Sequence, residues 1–288
     1  MLNASSTSLW TWTVVAAIVT TVGTLVGHLL KEIVLARSFE AWKRRQTAAD
    51  IERKYRDPIV LAALELASRL AEIIQEHPTD YLHRSALSTV IQRTLGSHRD
   101  AHFKKYKCQS TMYRIAAFLA WVELHRQELV FLESEHTGAA RPAQQSIDAI
   151  RQDFADGQIN ESDDWASWTD ALIFREEQRA IGEAMIAGPP PARTVVGYGS
   201  FITIAETAAH PNHRWVECLE HFCVDQQSNK EFRLVRYRRL LVHLIDLVCA
   251  IDPRRIPVWL TEVSAQQRLH LAKVKQRGFA QTAAQVQG

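Results

Sequence analysis

From Leu9 to Leu30 the chain reads Leu-Trp-Thr-Trp-Thr-Val-Val-Ala-Ala-Ile-Val-Thr-Thr-Val-Gly-Thr-Leu-Val-Gly-His-Leu-Leu, with no Asp, Glu, Lys or Arg. About 20 such residues in a helix cross the hydrocarbon core of a bilayer. Trp10 and Trp12 suit one headgroup interface; His28 and Lys31 suit the other. No Lys or Arg precedes the run, whereas Lys31, Arg37, Lys43, Arg44 and Arg45 follow it. Cations stay on the cytoplasmic side, so the pattern predicts the N-terminus outside and the rest of the chain inside, at the inner membrane. A cleaved signal peptide would need a basic start and a small-residue cleavage site after a shorter apolar core, whereas no Lys or Arg precedes this run and it continues without a break into Lys31-Glu-Ile-Val-Leu-Ala-Arg37. Ala16, Thr20, Gly23 and Gly27 place small residues on one stripe of this helix, a pattern through which two membrane helices can pair.

After this run the period is helical. A stalk helix is expected over 31–57, ending at Asp57, where Asp57-Pro58 restarts a helix with Asp as cap and Pro at the first position. Ile59 to Ile74 is apolar on nearly every face and predicts a central core helix. Thr79-Asp80 caps another helix, which stops at Gly96. Ser110 to Glu133 predicts a long apolar helix, and Ser134 to Gln145 a linker. Ile147, Ile150 and Phe154 mark a short helix, and Ser162 to Ala187 a longer one, with Trp165 and Trp168 turned inward. Arg193 to Ile204 leans towards β structure but lacks a partner, so an extended loop is expected. Helices follow from Asn212 to Cys223, from Lys230 to Ile251, and from Thr261 to Arg277. The expected organisation is a tail at 1–8, a transmembrane helix at 9–30, the stalk, a cytoplasmic helical domain at 58–277 and a disordered tail at 278–288. The fold class is all-α: an N-terminal transmembrane helix plus a cytoplasmic multi-helix bundle.

Composition adds little to this. The formal net charge of +2 gives no case for nucleic acid. Cys108, Cys218, Cys223 and Cys249 read as free thiols in a reducing compartment, in agreement with the charge-based orientation. No cofactor motif is present.

Four clusters carry candidate chemistry. On Phe174-Arg-Glu-Glu-Gln-Arg-Ala-Ile-Gly-Glu183, residues Arg175, Gln178, Arg179 and Glu183 share a helical face. Gly182 lies mid-helix, where glycine admits a second backbone; the Gly197-Tyr198-Gly199-Ser200 loop is the expected neighbour. This face forms either a polar ligand pocket or a solvated surface with intrahelical ion pairs. In the second cluster, Arg236, Arg239, His243 and Asp246 make a polar stripe on an otherwise apolar helix, either an anionic-ligand site or an exposed face. Third, His210, His213, Cys218, His221 and Cys223 are metal-ligand types without a metal spacing, so no metal is expected. Fourth, His98 to Lys107, with Phe103 and Tyr106, could meet anionic headgroups or form a solvated helix-turn.

Three strings, Tyr55-Arg-Asp-Pro58, Ser110-Thr-Met-Tyr113 with Ala120-Trp-Val-Glu123, and Arg175 to Glu183, resemble a group of uncharacterised bacterial single-pass membrane proteins. The resemblance implies a bacterial inner-membrane protein with one coherent domain, and no catalytic residue. The leading expectation is a membrane-anchored binding, scaffold or regulatory module. The alternatives are a tethered enzyme, with a site between Arg175–Glu183, Gly197–Ser200 and Arg236–Asp246, and an oligomerising membrane effector. Expected partners are the bilayer, a second copy through the membrane helix, and a protein.

Overall fold

The computed structural model describes residues 5–75, 98–130, 141–156, 172–190, 192–223 and 230–286, apart from some side chains within helices. The chain divides into two units, residues 1–50 and 51–288. The expected helix from Thr79 to Gly96, most of the 134–145 linker, and Trp165 and Trp168 lie outside the described residues.

The first unit is helical from Ser5 onward, within α1 (Ser5–Ile74). Trp12, Val14, Val15, Ile18, Val19, Val22 and Leu25 are each between 49% and 73% exposed. A Cβ built on Gly23 or Gly27 meets nothing within 4 Å in this single chain. Counted over the described residues, no helix is long and apolar enough to cross a membrane.

The second unit is mostly helical, as the periodicity predicts. It holds the end of α1, then α2 (His98–Val130), α3 (Arg141–Ala155), α4 (Arg175–Ala184), α5 (Tyr198–Glu206), α6 (His213–Cys223), α7 (Lys230–Ile251) and α8 (Val258–Val286). Among the described residues, helices α3 and α7, α2 and α4, and α7 and α8 pack against each other. One apolar core runs through Leu66, Leu70, Phe118, Phe154, Phe222, Tyr237 and Leu241.

Several boundaries differ from expectation for physical reasons. The helix does not stop at Asp57: α1 runs through Pro58. An interior proline costs about 3 kcal/mol, but Ile59, Val60, Leu66 and Leu70 all become buried just beyond it, and side chains of this kind return about 1.5–3 kcal/mol each. The β-leaning stretch has a partner after all. Thr194–Val195 pairs antiparallel with Ile186–Ala187, in the register Ile186↔Val195 and Ala187↔Thr194. The turn between them needs Gly188, at φ +92°, where a Cβ would lie 2.8 Å from the Ala192 carbonyl oxygen. Tyr198 to Glu206 is helix rather than loop. Leu172 to Phe174 lies outside any helix, with Phe174 extended and Ile173 N–H donating to the Phe154 carbonyl at 3.0 Å. The last helix starts at Val258 and continues to Val286, so Thr261 lies within its first turn and 278–286 is not a frayed tail. Asp252 caps the intervening Pro253–Arg255 turn by accepting from Arg254 N–H at 3.3 Å.

Candidate functional site

Three of the buried polar side chains of the second unit, Asp153, Gln178 and Arg236, meet at the C-terminal end of α3. Ile147, Ile150 and Phe154 turn that helix into the core. The same period carries Asp153 inward, where it is completely buried. A carboxylate at a helix C-terminus faces the negative end of the helix dipole, and a buried carboxylate needs compensating charge. The polar stripe of α7 supplies it. His243 Nδ1 lies 2.6 Å from Asp153 Oδ2. Arg239 Nε lies 2.9 Å from Asp153 Oδ1 as an ion pair, though without the alignment of a hydrogen bond, and its Nη1 lies 3.2 Å from Asp156 Oδ2. Arg236, 1% exposed, donates to the backbone carbonyls of Asp153 and of Asp156, the latter at 2.7 Å. Burial pulls its guanidinium down to about 10, against the pull of Asp156 and Asp153, so it stays charged at neutral pH.

The other side of α3 meets α4. Gln178, 2% exposed, donates its amide group to the Arg151 carbonyl at 2.9 Å and the Ile173 carbonyl at 2.8 Å. Arg175 and Arg179 are exposed one turn apart, and Arg151 is half-buried beside them. Burial lowers the Arg151 pKa, and the charges of Arg179 and Arg175 lower it further. The start of α4 is fixed by Glu177, whose carboxylate accepts from Phe174 N–H at 2.8 Å.

The structure divides the residues singled out in the sequence. Gln178 and Arg236 both end on carbonyls of the last turn of α3, and Arg239 and His243 join Arg236 there. Asp246 faces α8 and pairs with Arg268. Tyr198 packs edge-on against Tyr106 and Tyr113 of α2, with ring centroids 6.0 and 5.5 Å away. The three segments of the expected enzyme pocket therefore do not share one site. Gly182 does admit a second backbone, but its neighbour is α2: a Cβ there would lie 2.9 Å from both the Leu119 carbonyl oxygen and Glu123 Cβ. Glu183 is exposed.

The remaining clusters are spent on packing. Lys105 pairs with Glu206 at 2.7 Å, and Lys107 pairs with Glu72, so the basic stretch is partly neutralised. His213 Nδ1 meets the Ile204 carbonyl at 3.0 Å, and Cys218 Sγ lies 3.9 Å from Glu177. Among the described residues no group of three His, Cys, Asp or Glu could hold a metal ion. None of the four cysteines is in a disulfide; Cys108 and Cys223 are buried, and Cys249 is exposed.

Asp153, Asp156 and Arg151 were missing from the sequence reading. The signal for Asp153 was its place three residues after Ile150 and next to Phe154, on the apolar stripe of a short helix. No protein-family model, curated protein or solved structure matches the chain.

Proposed function

We propose that this protein is a helical binding module tethered to a bilayer by its N-terminal helix, with the second unit in the cytoplasm. The observation that carries the reading is the exposure of Trp12, Val14, Val15, Ile18, Val19, Val22 and Leu25 on a helix without a charged residue from Leu9 to Leu30. Leaving seven such side chains in water costs on the order of 10 kcal/mol relative to burying them. The described side chains from Trp12 to Leu25 cover roughly 20 Å of helix, short of a hydrocarbon core of about 30 Å. Leu9, Val26, Leu29 and Leu30 extend the run in sequence. The hydroxyls of Thr20, Thr21 and Thr24 fold back onto helix carbonyls, which removes their need for water.

Alkaline carbonate extraction of membranes carrying the full chain tests the tether. Retention in the pellet, lost on Val15→Asp/Val19→Asp, is the expected result; release of the wild-type chain refutes it. The cytoplasmic placement predicts that Cys249 reacts with a membrane-impermeant maleimide only after the membrane is opened. Pairing of two copies through Ala16, Thr20, Gly23 and Gly27 belongs to the same reading, and unchanged self-association on Gly27→Leu would rule it out.

Binding is favoured over catalysis because the three polar segments expected to build one active site are dispersed. Tyr198 stands with the tyrosines of α2, and Asp246 with α8.

A further inference from the structure

Helix α8 carries apolar residues on two opposite faces. Its inner face packs on α7, with Leu260, Val263, Ser264 and Gln267 buried. On the far side a second stripe runs through Val258, Glu262, Ala265, Leu269 and Ala272, spaced alternately four and three residues apart. All five are exposed, Val258 at 75% and Leu269 at 66%. In sequence the same spacing continues through Gln276, Phe279, Ala283 and Val286, to the end of the helix. One apolar face is enough to join a helix to a core, so the second stripe calls for another occupant.

Charge narrows what that occupant is. Trp259 and Lys273 are exposed along one edge of the stripe. Arg268 is exposed along the other, where it also pairs with Asp246. In sequence Arg277 and Lys275 prolong the two edges, and from Gln266 to Val286 there are four cations and no Asp or Glu. The stripe's one acid, Glu262, lies close to the N-terminus of the helix. A second copy on this stripe would set cation against cation in either direction: position 268 opposite 273 in a parallel pair, or opposite 268 and 275 in an antiparallel one. An acidic partner helix would have to carry its acids along both flanks. An anionic bilayer surface answers both edges at once. It takes up the apolar stripe between headgroups, accepts an indole at headgroup level, and lets lysine and arginine stems snorkel to the phosphates. We propose that the outer face of α8 docks on an anionic lipid surface, as a helix lying in the plane of the interface. This names a lipid class as the ligand of the binding module proposed above. It rests on the tether for the nearness of a bilayer, which holds the surface at high effective concentration and lets a modest amphipathic stripe suffice.

The test follows Leu269 in the full chain, assembled into phosphatidylcholine nanodiscs with and without phosphatidylglycerol. Leu269→Cys on a Cys218→Ser/Cys249→Ser background carries an environment-sensitive fluorophore, and only the buried Cys108 and Cys223 remain besides it. Bromine on the acyl chains of the phosphatidylcholine is expected to quench this label in the phosphatidylglycerol discs, and added salt to relieve the quenching. Each cation near an anionic surface is worth about fivefold in binding. Lys273→Gln/Lys275→Gln/Arg277→Gln should therefore lower the docked-to-undocked ratio roughly a hundredfold, with the thermal midpoint in detergent unchanged. An unquenched label in the phosphatidylglycerol discs would leave a protein as the occupant and overturn the proposal. Equal quenching without phosphatidylglycerol, or in the triple variant, would overturn the anionic class. A blue shift in detergent that grows with protein concentration, without lipid quenching, would assign the face to a second copy instead. Release of the wild-type chain by carbonate strikes the tether, whereas a chain held in the discs with its label unquenched strikes this surface alone.

Discussion

Replacing Asp153 by alanine should loosen the joint between α3 and α7. The carboxylate is fully buried and touches His243 at 2.6 Å and Arg239 at 2.9 Å. Removing one partner of a buried ion pair costs about 3–5 kcal/mol, whereas breaking an exposed pair costs at most about 1 kcal/mol. This case lies between the two, because the stranded His243 and Arg239 side chains are 29% and 30% exposed and can regain water. Loss of an unfavourable charge at the C-terminal end of α3 returns about 0.3–1 kcal/mol. The expected net loss is about 2 kcal/mol, a large share of the 5–15 kcal/mol typical of a domain. Arg236 donates to backbone carbonyls and keeps its partners in the variant, so the helix end should stay capped. Urea unfolding of the full chain in neutral detergent measures the loss. A cycle with His243→Gln should give a coupling of about 1 kcal/mol. A variant within 0.5 kcal/mol of wild type, or strictly additive losses, would mean that Asp153 holds neither His243 nor Arg239.

Gly182→Ala should destabilise by about 1–3 kcal/mol, since the new methyl meets the α2 backbone at 2.9 Å; an unchanged urea midpoint would show that α2 and α4 separate freely. Lys54 Nζ donates to Glu128 at 2.8 Å, the Tyr55 hydroxyl donates to the same carboxylate, and the Tyr55 ring stands edge-on to His125 with centroids 6.0 Å apart; acid should weaken this cluster in two stages. Burial holds the His125 pKa below its ordinary value, so the unfolded chain takes up the first proton and stability falls as pH drops below about 6.5; His125→Gln should flatten that slope in a melting series against pH. Burial alone would raise the Glu128 carboxyl, but hydrogen bonds from Lys54 and Tyr55 outweigh it and hold the carboxyl low. Its contribution is therefore present above the ordinary carboxylate pKa and is lost as pH falls through the lower folded value; Glu128→Gln should remove this second stage. Maleimide should reach Cys249 in the native protein and Cys108 only after unfolding, because burial pushes the Cys108 thiol up to about 12; mass spectrometry of the labelled peptides reads the order.

Where burial followed a clean period, the elements were legible. Lys230–Ile251 has the expected bounds, because a long alternation of apolar faces and a closing Asp-Pro leave the helix no other register. Pro58 and the 186–195 ribbon were misread for opposite reasons. At Pro58 the local signal was strong, and burial further along overruled it. In the ribbon the partner strand was two residues long and written as the end of a helix, so pairing was visible only once the Gly188 turn brought the two strands together.

The amino-acid order by itself determined the helical class, the uncharged apolar run at the N-terminus, and which residues of α4 and α7 are polar on a shared face. These depend on spacing along a single helix, which the chain carries locally. Only the tertiary structure decided what those polar faces meet. It set Arg236, Arg239 and His243 on the buried Asp153, and sent Asp246 to α8 and Tyr198 to α2. Such pairings join residues from 22 to 90 positions apart, and their energies come from desolvation and charge compensation, which exist only after the helices have packed.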